Sequence, residues 1–290
     1  MAVIDAPGVR PAKADVAAQA TAGRGKIVAE MVRDRPTLTC VRACSPLKLL
    51  TPRSRPGYAS AFVGSYGGGL VAGDTLDLNV TLHERAVCFL STQASTKVYR
   101  NTADAPARQR LHATVADDAL LVVAPDPLTC FAHANYEQTQ RFELAAEGNL
   151  VLVDWLTSGR HACGERWAFD RYASRNDVAV AGELRLADAL LLDPADGPVD
   201  APFRLGRFEC MATVVLIGPK LAAMQQALHD AVNDTATQRH ATLLEAASPI
   251  ADGLVWRLLA TTTQAVQRQL RRRLAPLAEL LGDDPWGRKW

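Results

Sequence analysis

The chain has 290 residues, 48% of them hydrophobic, and a formal net charge of +1 at pH 7. This length suffices for a large core, while the balanced charge excludes a general electrostatic attraction to nucleic acid or to a membrane surface. No apolar run is long enough to span a bilayer, the N-terminus lacks a signal-peptide pattern, and the six cysteines are scattered, so we expect a cytoplasmic protein with free thiols.

The N-terminal segment differs from the rest of the chain. Residues 1–24 are rich in Ala, Pro and Gly and have no hydrophobic periodicity, so we predict a disordered tail. From residue 25 to residue 290 we predict a single β-rich domain, with order beginning near Lys26. Between residues 37 and 210, strand-like segments alternate with short polar breaks, which is typical of β structure.

The stretch YGGGLVAGDTL, residues 66–76, is the most glycine-dense part of the chain. Its spacing matches two phosphate-binding templates in part. The dinucleotide template needs a helix after the loop, but residues 74–82 alternate apolar and polar side chains, as a strand does. The P-loop template needs a lysine where Asp74 stands, and a carboxylate there repels phosphate. We therefore predict that the glycines serve backbone turns: Gly67, Gly68, Gly69 and Gly73.

A strand–break–strand pattern recurs along the chain. The clearest copies are Leu78–Leu82 with Ala86–Leu90, Leu111–Val115 with Ala119–Val123, and Gln140–Leu144 with Asn149–Val153. Their second strands begin at residues 86, 119 and 149, in steps of 33 and 30. Weaker copies are Leu47–Thr51 with Tyr58–Val63, and Val178–Val180 with Leu184–Leu186. A fixed period predicts a mainly-β, β-helix or solenoid-like stack of strands; a β-sandwich with evenly spaced hairpins is the alternative.

About two α-helices are predicted toward the C-terminus. The first begins at Gly218-Pro219 and places four apolar residues on one face: Leu221, Met224, Leu228 and Val232. Leu254–Leu259 reads as a buried strand. The second helix is capped within Thr261–Thr263, ends or kinks at Pro276, and also has an apolar face: Val266, Leu270, Leu274 and Leu277. Its other side is basic, which indicates a solvated face or a docking site for an acidic partner: Arg268, Arg271, Arg272 and Arg273.

Catalytic motifs are absent from the sequence, which contains neither G-x-S-x-G nor H-E-x-x-H. The notable polar residues instead follow strands: Asp74, Gln93, Lys97, Tyr99, Asp154, Arg160 and Glu165. Arg160 and Glu165 are close enough in sequence to form an ion pair. His161 and Cys163 are two residues apart, so a strand would place both on one face as weak candidate ligands of a borderline metal ion; packed or exposed structural roles are the alternative.

Four motifs, taken in order, resemble the urease accessory protein family UreD, also called UreH. They are GGGLVAGD (67–74), STQASTKVYR (91–100), PDP…FAHANY (125–136) and DWLTSGR…GERW (154–167). The resemblance runs from about residue 25 to the C-terminus. Leu-Thr-Cys at residues 128–130 departs from the family pattern, which puts only the local loop geometry in doubt.

The resemblance implies a β-helical stack with two helices and a non-enzymatic maturation factor. Such a factor acts with the accessory protein UreF and the GTPase UreG on apo-urease, where GTP hydrolysis accompanies nickel delivery. GTP would then be bound by the partner, and this chain would hold no permanent cofactor, although nickel could contact it transiently. We expect no nucleic-acid or membrane partner.

The resemblance also gives the polar residues a candidate role. Nickel in transit must be held weakly, which suits carboxylates and amides better than thiolates. We expect Asp74, Gln93, Asp154 and Glu165 to line or shape an internal nickel passage, oriented by Lys97, Tyr99 and Arg160. Structural hydrogen bonds at strand ends are the alternative. Two other functions stay open: a polysaccharide-active β-helix enzyme, and a protein-interaction scaffold that never contacts metal.

Overall fold

The structure, a computed structural model, describes residues 22–53 and 56–287 as a β-solenoid of about four turns. This confirms the predicted fold class. In chain order the strands are β1 (Ala22–Val32), β2 (Arg35–Ala43), β3 (Leu47–Leu50), β4 (Ala59–Ser65), β5 (Thr75–Leu82), β6 (Val87–Thr92), β7 (Lys97–Val98), β8 (Ala107–Val115), β9 (Leu120–Val123), β10 (Leu128–Cys130), β11 (Asn135–Leu144), β12 (Asn149–Thr157), β13 (Arg171–Val180), β14 (Glu183–Leu192), β15 (Cys210–Ile217), β16 (Leu243–Ile250) and β17 (Gly253–Ala260). The α-helices are α1 (Ala222–Asn233), α2 (Thr263–Arg273) and α3 (Leu277–Leu281).

Two sheets face each other across the main core. Sheet 1 has the order β14-β13-β11-β8-β5-β1-β2, and sheet 2 the order β16-β17-β15-β12-β9-β6-β4-β3, with β10 beside β12 and β7 beside β10. The central strands of both sheets run parallel to their neighbours. Each of three coils passes from sheet 1 to sheet 2, as β5 to β6, β8 to β9 and β11 to β12, which is the repeat that the sequence predicts.

The burial patterns explain why the strands of the two sheets look different in sequence. Strands of sheet 1 alternate: in β5, Leu76, Leu78 and Val80 are buried, whereas the residues between them face outward. All four residues of β9 are buried, because the other side of sheet 2 is covered by helices: α1 packs on β16 and β17, and α2 on β15 and β17. One apolar core therefore lies between the sheets and a second lies between sheet 2 and the helices.

The turns that join the sheets stack on one another as the strands do. Arg85 and Asp118 occupy equivalent turn positions with φ of 63° and 58°. The Arg85 amide donates to the Asp117 carbonyl at 3.2 Å, and the Asp118 amide donates to the Glu147 carbonyl at 3.1 Å. These bonds satisfy turn backbone groups that would otherwise need water, so the coil period is held at the turns as well as in the sheets.

The two weaker repeat copies were wrongly interpreted as further coils. The segment Val178–Leu186 forms an antiparallel hairpin, β13–β14, within sheet 1. Its two-residue turn has Ala181 at φ 50° and Gly182 at φ 83°, and positive φ at both positions returns a strand beside itself. The segment 47–63 likewise forms the antiparallel pair β3–β4 within sheet 2.

The two helices predicted toward the C-terminus are present, with shifted boundaries. A 3-10 turn, Pro219–Leu221, precedes α1, and the Thr262 hydroxyl caps α2 by accepting from the Ala265 amide. Helix α2 ends at Arg273, before Pro276, and Pro276 is the N-cap residue of the short α3. Strand β1 begins at Ala22, so residues 22–24 were wrongly assigned to the tail, and residues 1–21 lie outside the described part. No helix in the described ranges has the length and apolar content to cross a bilayer.

Candidate functional site

The four sequence motifs stack directly on one another along one side of the solenoid. Leu70 of the glycine loop pairs with Val98, and Val98 pairs with Cys130 in parallel register. Strand β10 in turn pairs with β12 through Leu128 and Leu156. The segments named as motifs therefore form a third, short parallel ladder, which we call the turn ladder (residues 70, 97–98, 128–130 and 156–157). It closes the space between the two sheets on that side.

Asp74 closes the glycine loop. Its Oδ2 accepts a hydrogen bond from the Val71 amide at 3.0 Å, and its own amide donates to the Val71 carbonyl at 3.1 Å. Gly68 and Gly73 have φ of 68° and 80°, a region that favours glycine. The loop leads into strand β5, so the backbone shapes a turn between strands.

A column of side chains runs along the outside of the turn ladder. The Tyr99 and Phe131 rings meet edge to face with centroids 5.3 Å apart. The Arg160 guanidinium lies over the Phe131 ring, 4.1 Å from its centroid, and forms a two-bond ion pair with Glu165, in which Nε to Oε2 is 2.9 Å. This hydrogen bonding to Arg160 holds the pKa of the Glu165 carboxyl below its usual value. The column fixes the outer ends of three successive coils.

Asp154 lies at the centre of a polar network between the sheets. Its Oδ2 accepts hydrogen bonds from Gln138 Nε2 at 3.1 Å, Ser174 Oγ at 3.0 Å and Asn176 Nδ2 at 2.9 Å. The donors come from β11 and β13 of sheet 1, whereas Asp154 belongs to β12 of sheet 2. Three donors of sheet 1 thus converge on one carboxylate oxygen of sheet 2, and the network joins the two sheets.

Two tyrosines border this network. The Tyr136 hydroxyl donates to Gln109 Oε1 at 2.6 Å, and Gln138 Oε1 lies 3.1 Å from it. Burial, followed by the nearby Asp154 carboxylate, raises the pKa of both Tyr136 and Tyr172 well above the usual value. Both phenols therefore stay protonated, and Tyr136 acts as a fixed donor to the network.

Three cavities lie in a row along the interior. One of about 100 Å³ lies beside the glycine loop and is lined by Gln93, Thr96 and Gln109. The next, about 90 Å³, shares Thr96 and Gln109 with the first and is also lined by Asp154. The third, about 620 Å³, shares Asp154 with the second and opens between the last strands of the two sheets. Because neighbouring cavities share lining residues, they are adjacent to one another.

The structure separates the seven predicted site residues into two groups. Gln93 and Asp154 line cavities. The remaining five belong to the glycine loop, the turn ladder and its outer column: Asp74, Lys97, Tyr99, Arg160 and Glu165. The role of all seven residues in a nickel passage stays a prediction.

Sequence reasoning missed most of the interior network. Gln138 and Gln140 alternate with Glu137, Thr139 and Arg141 on β11 and face inward, between the buried Tyr136 and Phe142. On β13, Ser174 and Asn176 occupy the corresponding inward positions. Polar residues at inward positions of an alternating strand were the available signal, because an ordinary core strand places apolar residues there.

The weak metal pair does not lie on a strand, so that premise was wrong. His161–Cys163 form a 3-10 turn followed by Gly164 at φ 74°, and both side chains are exposed. Among residues 22–53 and 56–287, no group of three or more His, Cys, Asp or Glu residues could hold a metal ion. The buried Ser158 hydroxyl donates to Glu209, whose carboxylate also accepts from Arg166.

The basic side of α2 is divided between structural and exposed arginines. Arg273 Nη2 donates to the Ala231 carbonyl at 3.2 Å, near the end of α1. Arg271 Nη2 donates to the Trp286 carbonyl at 3.4 Å. These two side chains tie α2 to neighbouring segments, whereas Arg268 and Arg272 are exposed.

Facing parallel sheets with a polar network between them define the class: a β-solenoid whose apolar core contains a buried polar network. The chain belongs to the UreD urease accessory protein family, whose model matches residues 21–290. It is 48% identical to the urease accessory protein UreD of Sorangium cellulosum, over 93% of this chain and 85% of the relative. It is 34% identical to the urease accessory protein D of Arabidopsis thaliana, over 90% of this chain and 99% of the relative. This membership supports a role in urease maturation.

Proposed function

We propose that this chain is a non-catalytic scaffold for urease maturation that acts in the cytoplasm with UreF and the GTPase UreG on apo-urease. Family membership supports the maturation role, because the relatives carry the name urease accessory protein. The six unpaired cysteines suit a reducing compartment. In this proposal GTP is bound by UreG, this chain holds no permanent cofactor, and nickel is the cargo.

The observation that carries the nickel proposal is the row of cavities joined at Asp154. A cargo ion needs ligands that bind it and then release it, and carboxylate, amide and hydroxyl oxygens do so more readily than thiolates. Gln93, Gln109 and Asp154 supply such oxygens along the row. Because three hydrogen bonds already engage Asp154 Oδ2, the carboxylate is a weakened ligand that attracts the cation without trapping it.

Two buried cysteines of the same core do not compete for the ion. Burial raises the pKa of Cys88 to about 12 and moves that of Cys130 still further from neutrality. The thiolate is the metal-binding form of cysteine, so both side chains remain poor ligands at neutral pH. In this proposal Asp74 holds the shape of the glycine loop beside the cavity of about 100 Å³. The turn ladder and its outer column, which contains the Arg160–Glu165 pair, hold the shape of the side of the solenoid on which they lie.

The proposal is tested by Asp154→Asn, with Asp104→Asn as the matched control. Asp104 is exposed and has φ 50°, a conformation that asparagine accepts. Each variant is co-expressed with urease, UreF and UreG, and three quantities are measured: co-purification with and without GTP, urease activity, and nickel per urease active site. We expect Asp154→Asn to keep the complex and lower nickel loading, whereas Asp104→Asn changes neither.

The possible results separate the two parts of the proposal. If Asp154→Asn forms an intact complex and urease is fully loaded with nickel, the nickel path through Asp154 is refuted, while the scaffold role stands. Fully metallated urease in cells that lack this chain would remove the maturation role itself.

A further inference from the structure

A row of polar residues crosses the inner face of sheet 2 from the interior toward the open edge. Asp154 of β12 pairs in register with Thr213 of β15, and Thr213 pairs with Arg257 of β17. Arg257 alternates with Val255 and Leu259, which belong to or pack against the core between the sheets. Since alternate residues of a strand project to the same face, the Arg257 side chain lies on the inner face as well. The row therefore leads from the Asp154 network to the edge region of the sheet.

A second polar row in sheet 1 lies opposite the first. Gln140 of β11 pairs in register with Asn176 of β13, and Asn176 pairs with Asp188 of β14. Gln140 and Asn176 are buried, and the Gln140 amide donates to Asn176 Oδ1 at 2.9 Å. The Asn176 amide in turn donates to Asp154 Oδ2 at 2.9 Å. The two rows are thus joined at their buried ends.

The rows meet again at the open edge, through an ion pair between Asp188 and Arg257. Arg257 Nη2 lies 2.6 Å from Asp188 Oδ1, so the pair joins the edge strand of sheet 1 to sheet 2. The Arg257 side chain is 50% exposed, whereas that of Asp188 is 19% exposed. Both residues line the cavity of about 620 Å³, as Asp154 does. The ion pair therefore stands at the solvent end of this cavity, and Asp154 stands at its inner end.

An ion pair closes this edge less firmly than apolar side chains would. Leu186 and Leu190, on either side of Asp188 in β14, pack against the core between the sheets. At the position between them, the closure consists of two charged groups. Ion pairs exposed to this degree are held weakly, so the Arg257 guanidinium can turn toward water and uncover the Asp188 carboxylate.

The charges around the cavity give Arg257 a decisive position. Of the described residues that line the cavity, Arg257 is the one with a positive charge. Glu245, a further carboxylate of the lining, accepts hydrogen bonds from Trp256 at 3.1 Å and from Gln269 of α2 at 2.8 Å. The charge of Arg257 therefore decides whether the solvent end repels a cation, and Asp188 decides whether that charge is neutralised.

We propose that the Asp188–Arg257 pair is the gate at the outer mouth of the nickel passage. In the structure the pair is closed, and Arg257 and Asp188 neutralise each other. When the guanidinium turns outward, Asp188 offers a carboxylate to the dication at the mouth, and Asp154 offers the next one inside. Without Asp188, the positive charge of Arg257 would repel the cargo. The proposal rests on the proposed function and deepens it, because it assigns the mouth of the passage and the two residues that control it.

The test measures the initial rate of nickel loading of apo-urease by complexes that contain UreF, UreG and the full chain. The variants are Asp188→Asn, Arg257→Gln and the two combined. Asp252→Asn is the matched control: Asp252 pairs with Arg185 of β14 at 2.7 Å but lies outside the cavity lining, and its φ of 63° accepts asparagine. Thermal unfolding of each variant verifies that the chain is folded.

A gate predicts effects of opposite sign for the two single substitutions. Asp188→Asn leaves Arg257 without its counter-charge and should slow nickel loading about tenfold. Arg257→Gln leaves an uncovered carboxylate at the mouth and should speed loading. The combined variant should load faster than Asp188→Asn alone, because the repelling charge is gone. Asp252→Asn should load at the wild-type rate.

A purely structural tie predicts effects of the same sign, because either substitution breaks the pair. Slowing by Arg257→Gln, or loading by Asp188→Asn at the rate of Asp252→Asn, would overturn the gate. If Asp154→Asn lowers nickel loading while Asp188→Asn does not, the gate fails and the passage through Asp154 stands. If Asp154→Asn loads urease fully, the passage itself is refuted, and the gate is refuted with it.

Discussion

The Tyr99 ring occupies the space that a side chain at Gly69 would need. A Cβ atom at Gly69 would lie 2.6 Å from Tyr99 Cε2 and 2.7 Å from the Lys97 carbonyl oxygen. Gly69 has an ordinary φ, so the requirement here is close approach and not a left-handed backbone. The Tyr99 ring therefore packs against the backbone of the glycine loop at Gly69. Its other contact is with the Phe131 ring, over which the Arg160 guanidinium lies.

Gly69→Ala should destabilise the fold through this contact. The extra methyl group must displace the tyrosine ring or the β7 backbone, and overpacking of this kind costs about 1–3 kcal/mol of unfolding free energy. The control is Gly64→Ala, since a Cβ there meets nothing within 4 Å. Chemical denaturation of both variants measures the difference. Equal stability of Gly69→Ala and the wild type would contradict the tight packing of the turn ladder.

Two substitutions at Asp74 separate its charge from its geometry. Asp74→Ala removes the acceptor of the Val71 amide and should cost about 1 kcal/mol, whereas Asp74→Asn keeps an acceptor oxygen. If Asp74 only shapes the loop, Asp74→Asn should activate urease normally and Asp74→Ala should do so poorly. Full activation by Asp74→Ala with an intact complex would remove Asp74 from the mechanism.

Asn176→Ala should weaken the interior network. Asn176 is 2% exposed, donates to Asp154 at 2.9 Å and accepts from Gln140 at 2.9 Å. Its loss leaves buried polar groups without partners, which costs about 1–3 kcal/mol. Thr139→Ala, on the exposed side of the neighbouring strand β11, is the control and should be nearly neutral. Unfolding curves that coincide for the two variants would contradict the network as a stabilising feature.

The Arg160–Glu165 pair should make stability pH-dependent in the acidic range. Hydrogen bonding to Arg160 lowers the pKa of Glu165 in the folded state. The pair therefore stabilises the protein fully above the usual glutamate pKa of about 4, and this stabilisation is lost as pH falls through the lower, folded value. Glu165→Gln removes this contribution. The stability gap between wild type and variant should thus be largest near neutral pH and shrink in acid; a gap that stays constant down to pH of about 2 would refute the coupling.

The coil repeat was predictable because one face of each sheet 1 strand is solvated. That exposure leaves an alternating pattern in segments such as Leu78–Leu82, and polar turns at a regular period mark where the chain changes sheets. The hairpins were mistaken for coils because both give two short strands and a polar break. Only the backbone of the turn, as at Ala181 and Gly182, decides whether the second strand returns beside the first.

The candidate site was less predictable because its contacts join residues that are distant in the sequence. Asp154 was predicted to follow a strand, whereas it lies within β12, and its donors Gln138, Ser174 and Asn176 come from the opposite sheet. Phe131, which links Tyr99 to Arg160, reads as an ordinary apolar residue until the coils are stacked. The Asp154 network and the Tyr99–Phe131–Arg160 column both depend on how the coils align with one another. A single sequence does not reveal this register.

The direction of the outermost strands limits how far this architecture can grow. In sheet 1, β2 and β14 both run antiparallel to their neighbours, and in sheet 2, β3 does so as well. A stack of parallel coils would otherwise present an edge of the same polarity as its interior, ready to accept further coils from another molecule. Reversal of the final strand ends the parallel run, so a further coil that ran in the original direction could not continue the ladder in parallel.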